Sequence, residues 1–305
     1  MKNNIIHKLL DYGLREAYYI GFVEKDYLNL SKEERFKKIS WLQLNGYNAG
    51  WFADPFILSI EQNKIQLLVE EYVYELDKGV ISLLEIEQIQ GKYLLNNVHR
   101  LLELPTHLSF PNIWRENGKI YVYPENWHSG ALYMYELDLF QRKLVKPIKL
   151  VNVPLVDSAI FEYGNKYYLI GTRRVTVSNE EMKSADIFVS DSLFGPYQFQ
   201  QTIHNESCIE RGAGEIYKQG DSLIRPVQKC DNAYGEAVIL NKLFWKDDRF
   251  IETELKIIEP DTYQKYGSCL HTFNMMNDIC VIDGRDYIHP IAARLIKWLL
   301  KIWSI

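Results

Sequence analysis

Residues Ser109-Phe110-Pro111-Asn112-Ile113-Trp114 and Ile120-Tyr121-Val122-Tyr123-Pro124-Glu125 flank the pair Asn117-Gly118, and together they read as two short apolar strands joined by a tight turn. Gly, Asn and Asp supply the positive φ that such turns need. The plan recurs. Upstream, Ala53-Asp54-Pro55-Phe56-Ile57-Leu58 turns at 61–64 into Ile65-Gln66-Leu67-Leu68-Val69-Glu70-Glu71. Downstream, Asp157-Ser158-Ala159-Ile160-Phe161 turns at Gly164-Asn165 into Tyr167-Tyr168-Leu169-Ile170-Gly171-Thr172. A fourth copy joins Gly214-Glu215-Ile216-Tyr217 to Leu223-Ile224-Arg225-Pro226 through Gly220-Asp221. A fifth joins His271-Thr272-Phe273-Asn274-Met275 to Ile279-Cys280-Val281-Ile282-Asp283 through Asn277-Asp278. From Asp54 to His271, 217 residues make four intervals of about 54, close to the roughly 50 residues of a four-stranded propeller blade. Segments such as Leu132–Glu136 and Asp186–Ser190 supply further strands. An irregular β-sandwich would not explain hairpins of one design at regular intervals.

The expected fold is therefore all-β: a five-bladed β-propeller over 17–288, preceded by a segment 1–16 and followed by a short C-terminal amphipathic helix in 289–305. Ala17–Phe22 reads as a strand that completes the last blade, and the polar stretch 32–38 as a connection.

Composition agrees with this and removes other classes. In 305 residues, 47% hydrophobic and 25% charged residues suffice for a packed core, which excludes a disordered chain. A net charge of −5 argues against nucleic acid as a partner, because phosphate binding needs a basic surface. The 21 Tyr, 13 Phe and 7 Trp suit a β-rich core and a sugar platform equally. Cys208, Cys230, Cys269 and Cys280 form no CxxC pair, so they read as small buried hydrophobes. Met1–Asp11 lacks the apolar run of a signal peptide, and the expected compartment is the cytosol with reduced thiols.

In a hairpin, the start of the first strand and the end of the second lie at one end. Repeated around an axis, this gathers at one face Asp54, Glu70 and Glu71; His107, Pro111 and Glu125; Asp157, Thr172 and Arg173; Arg211, Glu215 and Gln228; and His271 with Asp283. A polar funnel of this composition is the expected ligand site. Asp54 and Asp157 occupy equivalent repeat positions, which favours a role over two unrelated polar residues. Arg211, with Arg173 and Arg225, offers bidentate donors suited to phosphate or carboxylate, although structural Arg–Glu pairing explains them as well. A lone histidine such as His271 is more often structural than a ligand, and no metal or cofactor is expected. Trp114, Trp127 and Tyr234 are candidates for stacking on sugar, with core packing favoured for Trp114.

WFADPF, HLSFPNIW…YVYPE, VDSAIF…YYLIGT, RGAGEIY…IRPVQ and AYG, in this order, resemble the propeller domain N-terminal in plant glucosamine inositolphosphorylceramide transferases. Similar domains occur in bacterial proteins of surface-polysaccharide loci, and more remotely the chain is similar to five-bladed glycoside hydrolase family 43 furanosidases. The hydrolase resemblance implies Asp54 as general base and Asp157 as the acid that orients and tunes its partner. It also implies a catalytic Glu in a Glu-Gly-Pro turn of the fourth blade. Here Arg211 or Gly212 takes that place, and Glu210, Glu215 or Glu125 are the carboxyls left to substitute. The catalytic candidates are thus Asp54, Asp157 and Glu125. The substrate-binding candidates are Glu71, His107, Arg173, Arg211, Glu215, Arg225, Gln228, Tyr234 and His271.

From Pro290 the tail places Arg294, Lys297, Lys301 and Ser304 within roughly 80° of a helical wheel that is otherwise apolar. Such a helix is too short to span a bilayer and suits an interface. The expected activity is on a glycosyl linkage or sugar phosphate in surface-polysaccharide or glycolipid metabolism. The alternative is a binding module presenting a glycan to a partner glycosyltransferase, and a scaffold propeller is a third reading. Peripheral attachment at the inner membrane face through residues 290–305 accompanies either of the first two.

Overall fold

The computed structural model describes residues 10, 12–29, 34, 38–177, 180–203, 211–231, 233–260 and 265–303. Cys208 and Glu210 lie outside the described residues, as does most of the stretch 32–38.

The five repeats fold as five four-stranded antiparallel sheets, a five-bladed β-propeller. Blade 1 comprises β3 (Gly50–Glu61), β4 (Lys64–Val73), β5 (Lys78–Ile89) and β6 (Lys92–Leu102). Blade 2 comprises β7 (Ser109–Glu116), β8 (Lys119–Glu125), β9 (Leu132–Asp138) and β10 (Lys143–Val151). Blade 3 comprises β11 (Leu155–Tyr163), β12 (Lys166–Val177), β13 (Glu180–Ser190) and β14 (Gln198–Ile203). Blade 4 comprises β15 (Tyr217–Gln219), β16 (Ser222–Lys229), β17 (Ala237–Lys246) and β18 (Arg249–Ile258). Blade 5 is composite: β19 (Phe273–Met276) and β20 (Ile279–Tyr287) continue into β1 (Glu16–Glu24) and β2 (Ser40–Trp41). Nine residue pairs zip β20 to β1, from Glu16–Tyr287 to Glu24–Ile279, and this joins the two ends of the chain.

The turns form where the dipeptides demand them. Asn117 and Gly118 have φ of 51° and 73°, and Gly164 and Asn165 have 56° and 60°, the mirror-image turn geometry that matches strand twist. Each inner strand must then pack on both faces, because a blade is sandwiched between two others. Five apolar clusters satisfy this, one per interface. Phe22, Phe52, Leu67 and Val281 join blade 5 to blade 1, and Phe56, Leu68, Phe110 and Val122 join blade 1 to blade 2. Tyr121, Met134, Leu155 and Leu169 follow, then Phe161, Ile187, Leu243 and Phe250, then Val23, Ala213, Val238 and Phe273. Trp114 packs against the third of these clusters, as its apolar setting suggested.

The inner strand of blade 4 is the irregular one. Gly212 pairs with Val227, and the Gln228 amide donates to the Arg211 carbonyl at 2.9 Å, but the regular strand begins only at Tyr217. A Cβ on Gly214 would lie 2.1 Å from the Phe273 carbonyl oxygen, so this close approach of blades 4 and 5 needs glycine. The C-terminal helix, Pro290–Trp303, docks through Ala293, which is fully buried, while Ile291, Leu295, Trp298 and Leu299 remain exposed.

Candidate active site

Three inner strands carry the same distortion at the same place. Registers shift between Ala53 and Phe56, between Ser109 and Asn112, and between Val156 and Ala159. Within each shift one residue adopts positive φ: Asp54 at 49°, Phe110 at 46° and Asp157 at 49°. Such bulges re-aim a side chain out of the sheet, and non-glycine residues in this region mark strain held by the surrounding structure. In blade 4 the chain runs on in register at this level, Arg211 opposite Gln228 and Gly212 paired with Val227, and neither Gly212 nor Ala213 brings a carboxyl.

The bulges are tied to one another across the blades. The Asp54 amide donates to Asp283 Oδ2 at 3.2 Å. Asp54 Oδ2 in turn accepts from the Phe110 amide at 3.0 Å, and Glu125 Oε2 from the Asp157 amide at 3.4 Å. Asp157 Oδ2 accepts from Arg211 Nε at 2.5 Å and from Gln228 Nε2 at 3.2 Å. Carboxylates thus link blades 5, 1, 2, 3 and 4 in sequence at one end of the channel. The Phe273 amide, donating to the Ala213 carbonyl at 2.7 Å, joins blade 4 back to blade 5.

Asp54 is 5% exposed, and its Oδ1 accepts from Thr272 Oγ1 at 2.8 Å with His271 Nε2 at 3.5 Å. Burial pushes its carboxyl up to about 7, with Glu70, Asp283 and Asp157 adding to the rise and His271 opposing it. On the far side of the imidazole, His271 Nδ1 lies 2.8 Å from Asp283 Oδ2. Burial works against the charge of His271, but Asp283 and Asp54 outweigh it and lift the ring to about 9. Burial likewise works against the Asp283 carboxylate, yet His271 and the amides of His271 and Asp54 hold it below the usual carboxylate range. Donor atoms of Asp54, His271 and Asp283 lie within 4.8 Å of one another. The charged imidazole pairs with both acids, and the same three donor atoms are close enough together to hold a metal ion.

Glu125 is half-buried at the end of β8. Burial and the Asp157 charge raise its carboxyl well above the usual range, against the pull of Arg211. Arg211 lies over the Tyr234 ring at 5.1 Å, and Tyr234 meets His271 edge-on at 5.3 Å. Gly235 follows in a left-handed conformation, φ 65°, with a Cβ position 2.2 Å from Cys269 Sγ. An aromatic wall extends outward: Tyr18 lies 4.9 Å from His271 and 5.1 Å from Trp51, which stacks on Tyr72 at 4.8 Å.

Of the sequence-derived candidates, the structure brings together Asp54, Asp157, Glu125, Arg211, Gln228, Tyr234 and His271. His107 stands at the rim through Glu70, its Nε2 3.2 Å from Glu70 Oε1. Arg173 is partly exposed and pairs with the buried Asp186 at 2.7 Å. Three candidates are placed elsewhere. Glu71 points into blade 1, accepting from Tyr47 and Ser82, so its neighbour Glu70 is the acid felt at Asp54. Arg225 is sealed inside blade 4 at 2% exposure, 2.8 Å from Glu252, where no substrate reaches it. Glu215 lies further along its strand, in the field of Arg115, with burial pushing it up to about 7. Thr272, Tyr18 and Trp51 were absent from the candidates, and Asp283 was placed at the mouth with His271 but given no role. The Thr272 hydroxyl and Asp283 sit on the fifth repeat beside His271, and that adjacency was their available signal.

A family model described as glucosamine inositolphosphorylceramide transferase 1, N-terminal, matches residues 39–275. Glucosamine inositolphosphorylceramide transferase 1 of Oryza sativa subsp. japonica is 26% identical over 202 residues, covering 65% of this chain and 27% of its own length. The protein of the same name from Arabidopsis thaliana is 30% identical over 203 residues, 65% of this chain and 26% of its own. The chain therefore spans about a quarter of the length of these relatives. Among solved structures, an exo-β-1,3-galactanase from Phanerochaete chrysosporium superposes with a TM-score of 0.53 at 12% identity, over 72% of this chain and 55% of that one. A thermostable family-43 glycoside hydrolase gives 0.50 at 13% identity, over 73% and 83%. At such identities the likeness is one of fold. The match across residues 39–275, well over half of the chain, shows that the chain belongs to the glucosamine inositolphosphorylceramide transferase 1 N-terminal family.

Proposed function

We propose that the funnel acts on a glycosyl linkage or sugar phosphate, with Asp54 as the base that takes a proton from attacking water and Asp157 as the supporting acid. The observation that carries this reading is the pair of equivalent strained bulges, which aim Asp54 and Asp157 into one charge-coupled group. A base whose carboxyl sits near pH 7 is about half ionised at neutrality and is a stronger base than an ordinary carboxylate. The names of the relatives point to sugars on lipid phosphates, and those of the structural neighbours to glycan hydrolysis. A panel of aryl xylosides, arabinofuranosides, galactosides and glucosaminides, with sugar phosphates alongside, tests the reading. Asp54→Asn should abolish turnover while leaving the melting temperature within a few degrees. Unchanged turnover would end the assignment.

A second reading is favoured by two specific features: Arg211 or Gly212 stands where the hydrolase resemblance implies a fourth-blade carboxyl, and the C-terminal helix keeps an uncovered apolar face. In this reading the propeller binds a glycan and presents it to a partner glycosyltransferase at a membrane surface. Glycan-array binding without sugar release supports it over the first. Ala293 faces the protein, whereas Ile291, Leu295, Trp298 and Leu299 are 76, 56, 58 and 45% exposed, with Arg294 and Lys297 beside them. Apolar residues edged by cations fit the interface of an anionic bilayer. No described helix is long and apolar enough to cross a membrane. Sedimentation with vesicles containing phosphatidylglycerol should capture the protein, and Leu295→Glu with Trp298→Glu should release it. Equal capture of the double variant refutes the attachment.

A further inference from the structure

We propose that Glu125 is the proton donor of the funnel, supplying the acid from blade 2; this rests on the hydrolytic reading above. The placement follows from contacts around Asp157. Arg211 Nε and Gln228 Nε2 both donate to Asp157 Oδ2, and the Asp157 side chain is only 3% exposed. Glu125 accepts from the Asp157 amide at 3.4 Å and has Arg211 Nη2 at 3.9 Å, but its side chain is 14% exposed. Of the two carboxyls in contact, Glu125 is therefore the more accessible. On the described start of the blade 4 inner strand, Arg211, Gly212 and Ala213 bring no carboxyl. The charges acting on Glu125 are those of Asp157, Arg211 and Asp54, and with burial the acids prevail, which raises its carboxyl well above the usual range.

The step balances with water as the only co-reactant. The Glu125 carboxyl gives its proton to the glycosidic oxygen as the bond from that oxygen to the anomeric carbon breaks. Water forms the new bond to the anomeric carbon and yields a proton to the Asp54 carboxylate. Solvent then reprotonates Glu125 and deprotonates Asp54.

Glu125→Gln keeps an oxygen for the Asp157 amide and removes only the transferable proton. Two substrates differing in leaving group separate roles: phenyl glycosides need protonation, whereas 2,4-dinitrophenyl glycosides of the same sugars leave without it. For phenyl glycosides kcat/KM is expected to fall by about 10²–10⁴-fold, for dinitrophenyl glycosides by less than about tenfold, and the basic limb of the pH profile should vanish. Equal losses on both, or none on the phenyl series, overturn the proposal while leaving Asp54 and the parent reading intact. A wild-type protein inert to every glycoside overturns the parent reading and this one with it. Infrared spectroscopy adds a readout independent of turnover. The carboxylic acid carbonyl band at pH 7 should lose intensity in Glu125→Gln, and an unchanged band overturns the proposal even in an active enzyme.

Discussion

Replacing Asp283 by Asn removes the acid that holds His271 in its charged form, and the consequence for stability carries a pH signature. In the folded protein His271 is lifted from 6.5 to about 9. A histidine whose folded value is raised contributes stability in full below its unfolded value near 6.5, and loses that contribution as pH rises through about 9. At 1.36 kcal/mol per unit, the shift corresponds to about 3 kcal/mol at most. Asp283 also accepts from the amides of His271, Thr272 and Asp54 at 3.1, 3.0 and 3.2 Å. Asn offers one carbonyl oxygen to this set and turns an amide donor towards the rest. Breaking a buried ion pair on one side costs about 3–5 kcal/mol, and that range is the expected loss at pH 6.

The assay is urea unfolding of wild type and Asp283→Asn at intervals from pH 5.5 to 9.5. Wild-type stability should decline between about 6.5 and 9, and the variant should be flatter in that window because its histidine has lost the acid that raises it most. Asp54 gives a second limb of the same sign, since its raised carboxyl contributes stability at low pH that is lost as pH rises through about 7. That limb lies mainly below the histidine window and survives in the variant. A loss under about 1 kcal/mol at pH 6, or identical slopes above pH 7, refutes the ion-paired description of the trio.

Two further outcomes follow from the packing. Glu252→Gln leaves the buried Arg225 guanidinium without its carboxylate at 2.8 Å, so unfolding stability should fall by about 3–5 kcal/mol. Glycan binding per folded molecule should not change, because Arg225 does not line the funnel; a selective affinity loss would return it there. Gly235→Ala forces a Cβ to 2.2 Å from Cys269 Sγ and 2.9 Å from His271 Cβ in a left-handed backbone, so a loss of about 1–3 kcal/mol is expected. Thermal unfolding with a parallel glycan titration checks this, since moving His271 and Tyr234 should weaken binding as well.

The architecture was legible because its signals are local and repeated. Asn117-Gly118 and Gly164-Asn165 dictate turns on their own, and five such turns at near-constant spacing leave little freedom of topology. The same repetition revealed Asp54 and Asp157, whose equivalence is a property of position. What stayed hidden depends on register between strands far apart in the chain. Glu70 and Glu71 are adjacent, and alternation along β4 alone does not say which faces the axis; the bulge at Asp54 and the partners Tyr47 and Ser82 decide it. Arg225 lies mid-strand in β16, and its partner Glu252 is 27 residues away on β18. Nothing near Arg225 in sequence announces that pair, so grouping it with Arg211 as an anion donor assigned to the site a residue that lies inside the sheet.

The carboxylates that close the ring are also those proposed to do chemistry, and the two duties are compatible for a countable reason. An ionised carboxylate offers about four acceptor positions. Asp54 commits Oδ2 to the Phe110 amide and Oδ1 to Thr272, with His271 alongside, which leaves acceptor capacity for a water proton. The clasp needs only an oxygen, whereas the reaction needs a charge or a proton. Amide substitutions therefore separate the duties: Asn at 54 and Gln at 125 retain an oxygen for the neighbouring blade and lose acid–base capacity. Alanine at 54 would instead strand the buried Phe110 amide and Thr272 hydroxyl, at about 1–3 kcal/mol for each unsatisfied group. If Asp54→Ala and Asp54→Asn proved equally stable, the clasp would carry no weight and the strained bulges would be held by the apolar interfaces alone.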